Sequence, residues 1–209
     1  MSFSLNEVEV TAKRAARGAG YSWGLAEEAG KAARWLCVQG IDGVAVMAQI
    51  LAHDLARTPQ THVPADPGNH WAGQKALCPL ATGALLSDCA DRLNVSTITL
   101  ENVAAPTLLL PFSANAARML KSCVTVACDV SEVVTDGYDL AITSAIPNHA
   151  ERVTVRIGGI LTKTRPHHSR ATPDPEDWAA LTRFAHRTYA PATEESRLLG
   201  AGAGLSDND

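Results

Sequence analysis

The chain has 209 residues, 46% of them hydrophobic and 19% charged, with aromatics at 5% and a formal net charge of −4. A chain of this length buries about 70% of its unfolded surface, so it needs neither metal nor disulfide to fold, and its core must be built mainly from Ala, Val and Leu. The negative balance argues against general nucleic-acid binding, which draws on neutralised phosphates, and no run approaches the roughly 18 apolar residues of a membrane span.

Ser4 reads as the N-cap of a first helix, with Glu7 completing a capping box. Leu5, Val8, Ala12, Ala15 and Ala16 give that helix an apolar face. Lys13, Arg14 and Arg17 crowd its last turn, where cations complement the helix dipole. The stretch from Arg17 to Gly30, RGAGYSWGLAEEAG, is the most informative in the chain. Gly18 and Gly20 fall where the first helix should stop, and Ser22 suits the cap of a second helix from Trp23 to about Val38. Within it, Ala26, Gly30, Ala33 and Cys37 form a stripe nearly free of side chains, against which another backbone can pack. That stripe predicts a central helix. Glu27 and Lys31 are spaced for an ion pair, whereas Glu28 meets only Ala32 and is open to Arg14 or Arg17.

Gly40 and Gly43 bracket a turn into a third helix marked by Val44, Met47, Ile50, Leu51 and Leu55. The segment from Thr58 to Gly73, with prolines at 59, 64 and 67 and with His62, His70 and Trp71, is too polar for regular structure and has the length of a lid or binding loop. Leu77, Leu80, Ala84, Leu85 and Cys89 suggest a fourth helix in spite of Pro79 and Gly83.

From about Asn94 the hydrophobic period changes to two. Val124, Val126, Cys128 and Val130 alternate with polar or small residues, as do Val153, Val155 and Ile157. Ser96 to Glu101, Thr107 to Phe112 and Tyr138 to Thr143 read as further strands, and Asp136 with Gly137 as a hairpin turn. Strands in succession imply a mainly antiparallel sheet with helices on one face. Lys163 to Arg170 (KTRPHHSR) is a short basic loop that, with Arg152 and Arg156, has the charge to meet an anion; a solvated loop is its simpler reading. Pro175 opens a late helix through Trp178, Leu181, Phe184 and Ala185. In the tail from Pro191, Thr193 is placed to cap a short helix that Gly200 would end. The expected architecture is α+β in one domain over 1–209: a helical part over about 4–93, a sheet part over about 94–160, and a late helix and tail over 174–209.

No dinucleotide fingerprint, P-loop, GxSxG or HExxH pattern is present, so the sequence names no cofactor. Seven scattered histidines without i, i+4 spacing give no reason to expect a metal. The five cysteines form no CxxC pair, and the polar N-terminus lacks a secretory pattern, which fits a reduced, cytoplasmic protein. A site assembled from both ends is the remaining chemistry. Arg17 and Arg197 would bind an anion. Trp23 and the Gly18–Gly20 turn would supply a wall and close backbone approach. Glu27 or Glu28 would act as general base if burial raised its pKa.

The segments RGAGYSWGLAEEAGKAARWL and PATEESRLLGAGAGLSDND resemble a family of bacterial proteins catalogued only as a domain of unknown function. The resemblance covers nearly the whole chain and implies a small cytoplasmic bacterial protein, with no activity and no catalytic residues to transfer. The working expectation is binding of a small anionic metabolite near the glycine turn, with carboxylate acid–base chemistry acting on it. The alternative is a non-catalytic assembly or regulatory protein, in which Arg17, Glu27, Glu28 and Arg197 hold the tail or a second copy of the chain in a homo-oligomer.

Overall fold

Ser4 caps the first helix from both sides: the Glu7 amide donates to Ser4 Oγ (3.2 Å) and the Ser4 amide to Glu7 Oε2 (2.7 Å). The structure is a computed structural model and describes residues 1–129 and 131–189. After a two-residue strand β1 (Phe3–Ser4), helix α1 (Leu5–Gly18) buries Val8, Ala12, Ala15 and Ala16. Helix α2 (Trp23–Val38) begins and ends as its sequence spacing predicts, with Ser22 Oγ accepting from the Leu25 amide.

Its small-residue stripe is buried because α1 lies on it. A Cβ added at Gly30 would stand 2.7 Å from the Glu9 carbonyl oxygen, so the two backbones touch there. Helix α3 (Gly43–Ala52) opens against α2 in the same way, with Gly43 pressed on the Ala33 carbonyl, and Asp42 Oδ1 caps it by accepting from the Val44 and Ala45 amides.

The proline-rich segment after α3 is a packed connection. It makes two short 3₁₀ turns and the strand β2 (His70–Trp71). Trp71 is fully buried with its Nε1 donating to the Gly68 carbonyl, and His62 is buried with its Nδ1 donating to the Ala76 carbonyl (2.7 Å). The lid-like loop suggested by length is pinned by these two rings. Helix α4 (Pro79–Asp88) follows, and Pro79 starts it because a first-turn proline has no amide to leave unsatisfied.

Strand β3 (Ile98–Ala104) is where the sequence places one, but the expected strand over Thr107 to Phe112 is a 3₁₀ turn leading into helix α5 (Leu110–Leu120). Leu108, Leu109, Leu110 and Phe112 are all buried, and a continuous apolar run carries no period to separate a strand from a buried helix. Pro106 and Pro111, both suited to first helical turns, were the overlooked signal.

Strand β4 (Val124–Cys128) ends earlier than its alternation suggests. Asp129 takes a left-handed conformation (φ 50°) and the chain turns straight into β5 (Ser131–Thr135), a strand the sequence reading did not assign. The Asp136–Gly137 turn then leads to β6 (Leu140–Ile142), with Asp136 Oδ1 accepting from the amides of Tyr138 and Asp139. Strand β7 (His149–Ile157) returns through the middle of the sheet, whose order is β2-β3-β7-β4-β5-β6; every pairing is antiparallel except that of β2 with β3.

One face of the sheet, with Leu100, Val126, Val133, Val153 and Val155, is buried. The other carries the cross-strand ion pairs Glu101–Arg152 (2.9 Å) and Glu132–Arg156 (3.3 Å). Helix α5 rests on β4 and β5, α2 and α4 pack on α5, and α1 packs on α2. The last strand, β8 (Arg170–Ala171), pairs with β1, and helix α6 (Pro175–His186) closes the stack against α1 and α3. The predicted α+β arrangement, helices first and a mainly antiparallel sheet after, is the observed one. The tail helix expected over Thr193 to Gly200 lies outside the described residues.

The seam between α1 and α6 depends on one glycine. A Cβ on Gly18 would stand 1.9 Å from the Phe184 carbonyl oxygen, a backbone atom that cannot rotate away. Gly18→Ala is therefore expected to destabilise the protein by about 1–3 kcal/mol in urea unfolding, as overpacked substitutions do. Gly24→Ala, which meets nothing within 4 Å, should be neutral or stabilising by up to about 1 kcal/mol. Equal effects at the two glycines would contradict this packing.

Candidate functional site

Residues Val10, Lys13, Arg14 and Arg17 recur at three, one and three residues along α1, so they share one face of the helix. That face, the first residue of α2 and the turn after α6 enclose a groove of about 460 Å³, completed by Trp23, Thr188 and Tyr189. Arg17 is held at its floor: Nη1 donates to the Tyr21 carbonyl (2.7 Å), and the guanidinium carbon lies 4.9 Å from the centre of the Trp23 ring. Trp23 is 65% exposed, an unusual position for the largest side chain. Arg14 Nη1 donates to the Tyr189 hydroxyl (3.1 Å) and its guanidinium carbon stands 5.7 Å from that ring. Among the described residues neither arginine has a carboxylate partner within salt-bridge distance.

The turn that aims these groups is fixed from below. Tyr21 is buried and its hydroxyl contacts Cys78 Sγ at 3.4 Å; burial, then the nearby thiol, pushes the Tyr21 pKa upward, so it stays neutral. Gly20 has φ 106°, which lets the chain reverse between α1 and α2. Gly18 and Gly20 are not among the residues that line this groove, and each has a structural role. The open side of Gly18 is filled by the Phe184 carbonyl, and Gly20 serves the turn.

The two glutamates also need correcting. Glu27 does not pair with Lys31; its Oε1 accepts from Lys13 Nζ (2.7 Å), which ties α2 to α1. Glu28 takes Lys31 instead (2.7 Å), and neither Arg14 nor Arg17 reaches it. The hydrogen bond from Lys13, helped by its charge, holds the Glu27 carboxyl below the usual carboxylate range, the opposite of what a general base near neutrality requires. Helical spacing within α2 names only Lys31 for these acids, and the packing of α1 on α2 brings Lys13 within reach of Glu27. Arg197 lies outside the described residues.

The basic loop over 163–170 does not gather with Arg152 and Arg156, which are spent on the exposed sheet face. Arg165 instead donates from Nε and Nη2 to the carbonyls of Gln39 and Gly40 (2.6 and 2.9 Å), closing the C-terminal end of α2. Among the described residues no three His, Cys, Asp or Glu side chains converge as a metal site would require, and no helix is long and apolar enough to cross a membrane. Sequence reasoning missed Tyr189 and the joint role of Lys13 and Arg14. The one-face spacing from Val10 to Arg17 was available to reveal the latter.

Fold and groove together define an α+β protein with a cationic, aromatic-edged groove at the seam of three helices. The chain belongs to the family described as a protein of unknown function (DUF3726), whose model matches residues 3–122. That span includes the α1 and α2 walls of the groove but not Thr188 and Tyr189. No curated protein and no solved structure matches the chain.

The Glu27–Lys13 link yields a pH test. Because the folded pKa of Glu27 is depressed, its contribution to stability is present above the ordinary carboxylate range and is lost as pH falls through the depressed value. Glu27→Gln should lower the unfolding midpoint at pH 7 slightly and leave it unchanged at about pH 2. An equal loss at both pH values would mean that the side chain acts through packing.

Proposed function

We propose that the protein binds a small anionic metabolite in the groove between α1, α2 and α6, with Arg14 and Arg17 on the anion and Trp23 against its body. One observation carries this reading: two guanidinium groups without a carboxylate partner among the described residues line one groove, and one of them, that of Arg17, stands beside an exposed indole. A guanidinium presents several N–H donors in a fixed plane and suits phosphate or carboxylate oxygens. Arg17 and Arg14 each show one donated hydrogen bond, to Tyr21 and Tyr189, which leaves donors for a ligand. A planar or aromatic portion of the ligand would lie on Trp23, where the exposed ring gains from being covered.

Acid–base chemistry at Glu27 or Glu28 is not part of this proposal, because each is neutralised by a lysine at 2.7 Å. The reading is of a bacterial, cytoplasmic binding protein. Its five cysteines are all free thiols, which fits a reducing compartment.

A second reading has an observation in its favour. Tyr189 stands in the groove wall, and in the sequence Glu194 and Glu195 follow it within six residues. On that reading the protein is a non-catalytic assembly or regulatory protein whose groove holds an acidic segment, its own or that of a second copy.

Phenyl phosphate, titrated while Trp23 fluorescence is followed, separates the two. The ligand reading expects saturable quenching, weakened about tenfold or more in Arg14→Ala and in Arg17→Ala, the cost of losing one charge-assisted hydrogen bond. Glu194→Lys with Glu195→Lys should leave it unchanged. No quenching in the parent protein, with quenching gained in the double lysine variant, would overturn the ligand reading in favour of the acidic segment.

A further inference from the structure

A larger cavity than this groove lies elsewhere. Between α3, α6 and the connection from β6 to β7 runs an open cleft of about 890 Å³, a volume within the range of small-molecule sites. Its walls mix polar and apolar side chains, the apolar ones including Val46 from α3 and Ile142 and Ile146 from the β6–β7 side. Its negative charge lies where α3 and α6 begin, and comes from Asp42 and Asp177.

These carboxylates are incompletely used. Asp42 spends Oδ1 on the amides of Val44 and Ala45, and no hydrogen bond or ion pair to Oδ2 is present among the described residues. The Asp177 carboxylate makes neither a hydrogen bond nor an ion pair among them. The cation in the same wall, Arg165, is turned to the carbonyls of Gln39 and Gly40 and stands beyond salt-bridge distance of both acids.

We infer that this cleft is a second ligand site, separate from the basic groove, that takes an organic ammonium ion with its nitrogen between Asp42 and Asp177 and its apolar part along Val46, Ile142 and Ile146. The argument has three parts. A large cleft that sets an apolar strip of Val46, Ile142 and Ile146 beside polar groups suits an organic occupant with both kinds of surface. Two carboxylates without a cation select the sign of its charge, and the N–H donors of an ammonium match their vacant acceptor oxygens. Finally, partial burial, then the charges of Asp42, Asp174 and Glu176, hold the Asp177 carboxyl above its usual range, so a bound cation would relieve a repulsion already present.

The test uses the full chain and two probes of one shape, phenethylammonium and neutral 2-phenylethanol, followed in ¹H–¹⁵N correlation spectra. The expected result is a saturable shift at the amides of Ala45, Val46 and Asp177, with the ammonium bound about tenfold or more tightly than the alcohol, the ratio that about 1.4 kcal/mol gives. Asp177→Asn and Asp42→Asn should each abolish most of that preference, and asparagine at 42 keeps a good cap on α3. Equal response to the two probes, shifts away from the cleft, or an unchanged preference in both variants would overturn the assignment. If a variant fails to fold, as its melting curve will tell, the ammonium-over-alcohol ratio in the parent protein decides alone. None of these readings involves Arg14 or Arg17.

Discussion

The structure depends on backbone meeting backbone where side chains are missing. Gly18 against Phe184, Gly30 against Glu9 and Gly43 against Ala33 bring α6, α1, α2 and α3 closer together than any Cβ would permit. A core with few aromatics can be dense only this way, because alanine and glycine contribute little volume and the helices must approach to fill space. Trp71 and the leucines around α5 supply the bulk lower down, between the helices and the sheet.

That close approach also produces the groove. With α1 flat on α2, the long side chains of α1 have no room beneath them and emerge at the rim, where Lys13 finds Glu27 on the neighbouring helix. Arg14 and Arg17, one and four residues nearer the helix end, meet carbonyl, hydroxyl and ring atoms instead of a carboxylate. Cations there are favoured by the α1 dipole, which explains why the fold tolerates them. The dipole does not account for an indole left exposed beside them. The α3–α6 cleft is the electrostatic counterpart, with two helix beginnings and two carboxylates. The molecule thus presents opposite charges in two separate concavities.

The helical half was legible because its signals are local. Ser4 with Glu7, and Ser22 ahead of Trp23, give helix starts from hydrogen bonds made within a few residues. The small-residue stripe of α2 announced its central position. What failed required knowledge of distant partners. The buried run at 107–112 has no period, so the 3₁₀ turn and the start of helix α5 read as a strand, and β5 is hidden behind a turn at Asp129. The site was half legible: Arg17 and Trp23 do meet, through a glycine turn that sequence could name. Its second arginine and Tyr189 come from a contact across 175 residues, and the lysine that neutralises Glu27 from one across 14. Neither follows from spacing along one helix.

The most direct measurement is a crystal structure of the full chain grown with phenyl phosphate. The account predicts phosphate density bridging Arg14 and Arg17, with the phenyl ring against Trp23 and Lys13 still on Glu27. A groove filled by the chain's own residues 190–209 or by a neighbouring copy, or a ligand bound only elsewhere, would contradict it.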